Sequence, residues 1–389
     1  MPLIGAVADD LTGATTTGVL LARSKARTAV FFNEEAAVKA EGVEDLDAIL
    51  ISSNSRPLPA NEAYEKVKSA TAALKRMGVK YFSKRIDTTL RGGVGVEIDA
   101  MMDVVGDDAV AVVVPAMPQS RRILVGGYSV IDGVALINTP VAQDVRTPVK
   151  ENYIPRLLGQ QTRRNVNLVT LDEVLEGEEA IRDALEAARE AGGEVIIVDA
   201  ITIEDVEEIA KACIELKWNV IAVDPGPFTS KLAYYRDLIG REEPNIPPEA
   251  EEDGRTVLIA AGSATPVTKK QMEVLCEDPR HVRNSVDPVA LIEGGDAALD
   301  EAFRAVHKAE DLLNSEKPPR AILFETALHG ELLNLAEEDS KRHYAEGMSA
   351  DRINAGLGTI ISQLLELCGR EKIAGLYTTG GDTMVNVCY

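Results

Sequence analysis

The run "LIGAVA" (residues 3–8) passes straight into "DDLTGATTTG" (9–18), so an unbroken apolar segment meets a small, hydroxyl-rich turn through two adjacent acids, Asp9 and Asp10. An apolar run without alternation reads as a strand covered on both faces, the kind found in parallel sheets. The turn has two readings. In one, Asp10 or Thr12 caps a helix that begins there, because a short side-chain oxygen accepts a hydrogen bond from an orphan helix N–H. In the other, the acids serve a ligand, since ligands of open α/β sheets sit beyond the carboxyl ends of the strands. Adjacent strand residues point to opposite sides, so only one of the two acids is expected to face a given pocket.

The same pattern recurs outward along the chain at "TAVFF" (28–32), "AILIS" (48–52), "VKYFS" (79–83), "AVAVVV" (109–114), "EVIIV" (194–198) and "NVIAV" (219–223). Between these runs lie segments of helical period, with Tyr64, Val67, Thr71 and Leu74 on one stripe and Ile181, Ala184, Leu185 and Ala188 on another. Apolar strands alternating with amphipathic helices indicate an α/β fold. Residues 241–255, "REEPNIPPEAEEDGR", carry three prolines and six acids without apolar period, the signature of a solvated linker. Beyond it the alternation restarts with "TVLIAA" (256–261), a helix from about 266, "RAILF" (320–324), a long helix bearing Ile353, Leu357, Ile360, Ile361, Leu364 and Leu365, and "IAGLYTT" (373–379). Two α/β domains with largely parallel sheets are expected, 1–245 and 246–389, without an internal repeat of fixed period.

A length of 389 residues agrees with two domains. The net charge of −22, from 63 acids and 41 bases, repels nucleic acid and anionic membrane, so an anionic substrate needs a local basic pocket. Cys213, Cys276, Cys368 and Cys388 are scattered without a C-x-x-C pair, which argues for reduced, buried thiols rather than disulfides or zinc. His281, His307, His329 and His343 have no obvious nucleophile partner and read as structural or surface residues. Trp218 and the few aromatics offer no stacking platform for bases. The start "MPLIGAVADD" lacks a secretory pattern, and no window approaches the roughly 20 apolar residues of a membrane span, so a cytoplasmic protein is expected.

Three further turns after strands invite chemistry. "SKRIDTTLRGGVGVEID" (83–99) gathers Lys84, Arg85 and Arg91 around Asp87, Thr88 and Thr89, which reads either as a carboxylate or phosphate clamp or as a solvated loop. "AAGSATPVTKKQ" (260–271) places Gly262 and Ser263 before a helix opened by Pro266, and a helix start binds phosphate through its N–H groups. "YTTGGDTM" (377–384) offers Gly380 and Gly381 for close backbone approach and Asp382 as an oxygen ligand for Mg²⁺. Neither glycine turn matches the Walker A or dinucleotide fingerprints. The D-D spacing of Asp9 and Asp10 also counts against a haloacid-dehalogenase phosphatase, whose paired acids are spaced D-x-D.

In order along the chain, "ADDLTGA" (8–14), "KRIDTTLRG" (84–92), "PAMPQSRR" (115–122), "GGYSVIDGVAL" (126–136), "AGSATPVTKKQ" (261–271) and "TTGGDT" (378–383) resemble the four-carbon acid sugar kinases. That resemblance implies an N-terminal acid-sugar-binding domain and a C-terminal nucleotide-binding domain with the ligand cleft between them. It also implies transfer of the γ-phosphate of ATP to the terminal hydroxyl of threonate, erythronate or an oxo-tetronate. Asp9, Asp10 and the segment from Lys84 to Arg91 would meet the sugar acid; Gly262, Ser263, Gly380, Gly381, Asp382 and Thr383 would meet ATP. Two departures bear on the sugar pocket: Thr16 stands where the family often has Asp, and Gly93 where "DSTLRGN" ends in Asn. The family commonly continues past "GGDT" to another glycine-rich segment, so a shortened nucleotide domain is expected over these residues.

For a kinase, Lys84, Arg85 and Arg91 would hold the carboxylate and the growing phosphate charge, with Asp87 and Thr88 beside them. Asp10 would orient or deprotonate the hydroxyl, with Asp9 or Asp87 as substitute, and Asp382 would hold Mg²⁺ near the ATP phosphates. Closure about 241–255 would exclude water. A homo-oligomer is compatible with this plan. The competing reading is a non-catalytic sensor of a sugar acid or nucleotide.

Overall fold

In the computed structural model of the chain the described residues are 2–144, 147–242, 254–327 and 332–388. The chain divides into two units, Met1–Ile246 and Pro247–Tyr389. Most of the expected linker, residues 243–253, lies outside the described residues, as does His329.

The first unit is built on strands β1 (Ile4–Ala8), β2 (Thr28–Phe31), β3 (Ala48–Ser52), β4 (Tyr81–Arg85) and β5 (Ala109–Val113). After three short strands, β6 (Arg122–Val125), β7 (Tyr128–Ile131) and β8 (Val134–Ala135), come β9 (Val166–Val169), β10 (Val195–Val198) and β11 (Asn219–Asp224). The other eight strands form one parallel sheet in the order β2-β3-β1-β4-β11-β5-β10-β9, while β6, β7 and β8 pair antiparallel in a sheet of their own. Strand side chains alternate between faces, and the core divides accordingly. Val7, Ile49 and Ile51 pack with Val67, Leu74, Ile98 and Met101 from the helices Ala60–Arg76 and Val94–Val105. Ala6, Ala8 and Leu50 face Ala14 and Leu21 of the helix Leu11–Arg23 on the other side. Val110, Val112 and Ile196 are covered by Ile181, Ile209 and Phe228.

β1 lies between β3 and β4, so the chain turns to one side of β1 for β2 and β3 and crosses to the other for β4. The helix after β1 and the helix after β4 lie on opposite faces, which opens a crevice where the two strands end. The second unit repeats the plan. Strands β12 (Thr256–Ala261), β13 (His281–Ser285), β14 (Ala321–Glu325) and β15 (Ile373–Thr379) run parallel in the order β13-β14-β12-β15, equivalent to β2-β3-β1-β4. The long helix Met348–Lys372 covers one face through Leu357, Ile360, Ile361 and Leu364, and the helix Pro266–Leu275 lies on the other. The repeat is one of topology, which a search for fixed sequence period does not detect.

The parallel α/β class holds, and the strands at 48–52, 256–261 and 373–379 fall where the apolar runs place them. Five strands were not expected: β6, β7 and β8, and the half-buried β9 and β13, of which "VNLV" is only four residues long and interrupted by Asn167, while "HVRNS" carries a single apolar residue. β4 spans 81–85 rather than 79–83, so Lys84 and Arg85 belong to a strand and not to the turn after it. Two parallel neighbours, β1 and β11, hold them there, pairing Val7 and Val223 with Lys84 and Ala8 and Asp224 with Arg85. Among the described residues no helix is long and apolar enough to cross a membrane.

Candidate active site

At the crevice between β1 and β4 the helix reading of the opening turn is correct: Asp10 is the N-cap of Leu11–Arg23, accepting from the Gly13 N–H at 2.7 Å. The cap does not exhaust it. Asp10 Oδ1 also lies 3.3 Å from Arg85 Nη1, and Oδ2 lies 2.8 Å from Arg56 Nη1. Asp9 is buried and meets the same two bases, Arg56 Nε at 2.7 Å and Arg85 Nη1 at 3.5 Å. Both acids thus meet the same two bases, while only Asp10 is open, about a quarter exposed, and Asp9 is buried, in line with the expectation that one acid at most faces a pocket. β1 ends at Ala8, so neither acid obeys strand alternation, and both carboxylates turn toward the guanidinium groups. Gly13 makes the arrangement possible, since a Cβ there would sit 1.9 Å from Arg85 Nη1 and 2.6 Å from its Cδ.

Arg56, from the loop after β3, was missed by the sequence reading, yet it touches three acids at once: Asp9, Asp10 and, through Nη2 at 3.8 Å, Asp87. Its loop "SSNSRPLP" resembles an ordinary polar turn, and the only signal available was that it follows a fully buried strand. Arg91 grips Asp87 with Nε at 2.7 Å and reaches Asp144 at 3.2 Å. Burial works to raise the Asp87 carboxyl, but the hydrogen bond from Arg91, the nearby Arg56 guanidinium and the Thr89 hydroxyl overcome it and hold Asp87 well below the usual carboxylate range. Thr88 is half-buried beside this cluster. The basic clamp thus forms, but its charges are already engaged by acids of the fold.

Lys84 does not join the clamp. Its side chain is 0% exposed, with Nζ 2.8 Å from Glu97 Oε2 and donating to the Arg85 carbonyl at 2.8 Å, so it has no surface for the contact with substrate that its spacing suggested. Arg85 is likewise 6% exposed and braces Asp9 and Asp10 from behind. The groups that remain open are Asp10 and Arg91, about a quarter exposed, and to a lesser degree Arg56 at 14%, whose Nη2 is itself buried and lies 3.8 Å from Asp87 Oδ1. A pocket of ≈ 420 Å³ opens beside Arg56, walled by Leu90, Gly92, Gly93, Lys150 and Gln161. Thr16, at the position where an acid was expected, spends its hydroxyl on the Thr12 carbonyl.

In the second unit the two glycine turns stand side by side. β12 pairs with β15 so that Ala261 lies opposite Thr379, and the Gly262 N–H donates to the Thr379 carbonyl at 3.3 Å. The helix Pro266–Leu275 therefore starts beside the helix Gly381–Cys388, with Gly380 at the bend into the second. Thr383 is buried and donates to Asn354 Oδ1 at 2.8 Å, and a Cβ on Gly262 would fall 2.0 Å from its hydroxyl oxygen. Asn354, from the long helix, is a second residue the sequence did not reveal. The Ser263 hydroxyl accepts from Thr268 at 3.0 Å, and Asp382 is exposed at the start of its helix. An apolar pocket of ≈ 210 Å³, lined by Val289, Leu332, Leu333, Leu335 and Ile353, adjoins Gly262.

Among the described residues no group of three or more His, Cys, Asp or Glu could hold a metal, so Asp382 stands as a lone carboxylate outside any such cluster. All four cysteines are free, but only Cys213 is buried, its thiol pushed up to about 12 by burial; Cys388 is exposed. His281 bonds the Leu275 carbonyl and His307 pairs with Glu310, as structural or surface roles require.

Residues 4–232 match the model of a sugar-binding N-terminal domain, and residues 258–389 that of a nucleotide-binding C-terminal domain. A D-erythronate kinase of Heliobacterium modesticaldum is 38% identical over 382 residues, covering 98% of this chain and 84% of that protein. A D-threonate kinase of Salmonella typhimurium is 28% identical over 379 residues, 97% of this chain and 83% of that protein. A crystal structure of a domain of unknown function from Bordetella bronchiseptica, a domain-swapped dimer with bound citrate, is similar at a TM-score of 0.53 and 26% identity, covering 99% of this chain and 85% of that one. With both halves of the chain matched and a strong relative along nearly its whole length, the chain belongs to the four-carbon acid sugar kinase family.

Proposed function

We propose that the chain phosphorylates a hydroxyl of a four-carbon sugar acid of the erythronate–threonate class, using ATP with Mg²⁺. The observation that carries this reading is the pairing of the two glycine turns, which sets two helix starts side by side as a seat for phosphate in the unit that matches a nucleotide-binding domain. The triphosphate lies over Gly262, Ser263, Gly380 and Gly381, and the nucleoside enters the adjoining apolar pocket at Val289, Leu333 and Ile353. Thr383, fixed by Asn354, holds the second turn in register with the first. Asp382 is the carboxylate offered to Mg²⁺, which binds through one or two carboxylates and the nucleotide's own phosphates.

The sugar acid occupies the pocket beside Arg56, with its carboxylate on Arg56 and Arg91. Guanidinium groups bind carboxylates in two-pronged fashion, and of the two Arg91 is the more open, about a quarter exposed. Asp10, held by the Gly13 N–H and by two guanidinium groups, orients the hydroxyl that attacks. Phosphoryl transfer asks mainly for such positioning and for charge neutralisation. A coupled ADP-release assay over a panel of D- and L-threonate, D-erythronate and oxo-tetronates, with and without Mg²⁺, tests the proposal. ADP release that depends on both a C4 acid and Mg²⁺ is expected. Calorimetric binding of an acid or of ATP with no ADP formed would make the protein a sensor instead.

A further inference from the structure

Behind the acid-binding residues runs a buried chain of polar groups that the steps above leave unused. The Ser53 hydroxyl donates to the Ala8 carbonyl at 2.8 Å and contacts the Ser55 hydroxyl at 2.8 Å. The Ser55 oxygen lies 2.5 Å from Glu97 Oε1, and Glu97 Oε2 lies 2.8 Å from Lys84 Nζ. Ser53, Ser55, Lys84 and Glu97 are all buried. The chain ties together the ends of β1, β3 and β4 and the helix Val94–Val105, and so sets the positions of Asp9, Arg56 and Arg85.

The protons on this chain can be counted. Ala8 O, which also accepts from the Ser53 N–H at 2.8 Å, Ser53 Oγ, Ser55 Oγ and Glu97 Oε1 make three successive oxygen–oxygen contacts of hydrogen-bond length, and three hydrogens are required to fill all of them. Each serine hydroxyl carries a single hydrogen. Two hydroxyls therefore supply two of the three, and with an ionised Glu97 one contact is left as lone pair against lone pair in a buried place. A carboxylic acid at Glu97 supplies the third: Glu97 donates to Ser55, Ser55 to Ser53, and Ser53 to the Ala8 carbonyl.

We propose that Glu97 is a protonated positioning residue, whose hydrogen completes the chain that fixes the Arg56 loop and whose neutrality leaves the Lys84 charge uncancelled beneath the acid-binding site. The groups that face Glu97 agree with this. Burial raises its carboxyl, the Asp9 carboxylate raises it further, and the Lys84 ammonium and the Ser55 hydrogen bond pull the other way without prevailing. Arg56, Arg85 and Arg91 are matched by Asp9, Asp10 and Asp87, so the Lys84 ammonium is the charge that tips this group toward an anion. The functional half of the inference rests on the sugar acid binding at Arg56; the protonation itself does not.

Glu97→Gln separates the two protonation states. Glutamine is neutral, donates through its NH₂ to Ser55 and accepts from Lys84, so it replaces an acid but not a carboxylate. With Glu97 protonated, the variant is expected to melt within about 3 °C of wild type and to keep its KM for the C4 acid within about threefold; with Glu97 ionised, it strands Lys84 and melts roughly 10 °C lower. The infrared difference spectrum between wild type and Glu97→Gln at neutral pH is expected to show the C=O band of a protonated carboxyl. Absence of that band, or the large fall in melting temperature, overturns the proposal. Ser55→Ala cuts the chain without touching Lys84 and is expected to raise the KM for the acid about tenfold while the KM for ATP holds, and an unchanged KM for the acid refutes the positioning role. If Arg56→Ala also leaves the KM for the acid unchanged, it is the placement of the sugar acid that has failed, whereas the infrared band still decides the state of Glu97.

Discussion

Gly13→Ala sets two effects of opposite sign against each other at the start of the first helix. Helix propensity alone favours alanine over glycine by about 1 kcal/mol. The structure opposes it, because the new Cβ would lie 1.9 Å from Arg85 Nη1, 2.3 Å from Cζ and 2.6 Å from Cδ. With Cδ involved, a small swing of the guanidinium does not clear the clash, and Arg85 must give up Asp9 and Asp10. Breaking a buried ion pair by removing one partner costs about 3–5 kcal/mol, and Arg56 still holding both acids lowers this to about 2–4 kcal/mol. The net loss is then about 1–3 kcal/mol, or about 2–12 °C in melting temperature for a unit of this size. Calorimetric melting of the full chain measures it, and Gly13→Ala in an Arg85→Ala background completes the cycle. There the clash is gone, and alanine should stabilise by its propensity alone. A single variant as stable as wild type, or an equal penalty in both backgrounds, would refute the reasoning.

Asp10→Asn keeps an acceptor for the Gly13 N–H but gives up the charge paired with Arg56 and Arg85, so it should lower the melting temperature as well as turnover at constant KM for ATP, and Asp10→Ala should cost about 1 kcal/mol more through the lost cap. Asp87 is held below its unfolded value of about 3.9, so its contribution is complete above that pH and is lost as the pH falls below it. Melting temperatures of wild type and Asp87→Asn measured from pH 2 to 7 should therefore converge at the acid end, and parallel curves would contradict the assignment. Gly262→Ala drives a Cβ to 2.0 Å from the Thr383 hydroxyl oxygen and should raise the KM for ATP without changing that for the sugar acid, with relief by Thr383→Ala, as steady-state kinetics can test.

Strand-end acids and glycines were legible without coordinates because they are local. "LIGAVADDLTG" declares a buried strand and a cap, and Asp10 fills the second role, whereas the close approach of Arg85 to Gly13 shows only in the fold. The residues that were not legible act across the fold. Nothing near Arg56 in sequence marks it, since its partners lie 47, 46 and 31 residues away at Asp9, Asp10 and Asp87. Asn354 reads as one polar residue on an apolar helix until Thr383 is found against it. Lys84 was misread for a related reason: a base beside a turn resembles a ligand, and only Glu97, thirteen residues on, reveals that its ammonium group is held inside, out of a ligand's reach.

The sequence by itself determined the α/β class, most of the strands and the turns at which chemistry is sought, because apolar period, capping and glycine placement are properties of neighbouring residues. Tertiary structure alone decided which turns meet. Strand order brings β1 beside β4 and β12 beside β15, converting four separate motifs into two candidate sites. It also decided which charges remain open to a ligand, because a charge is available or spent according to its partners across the sheet.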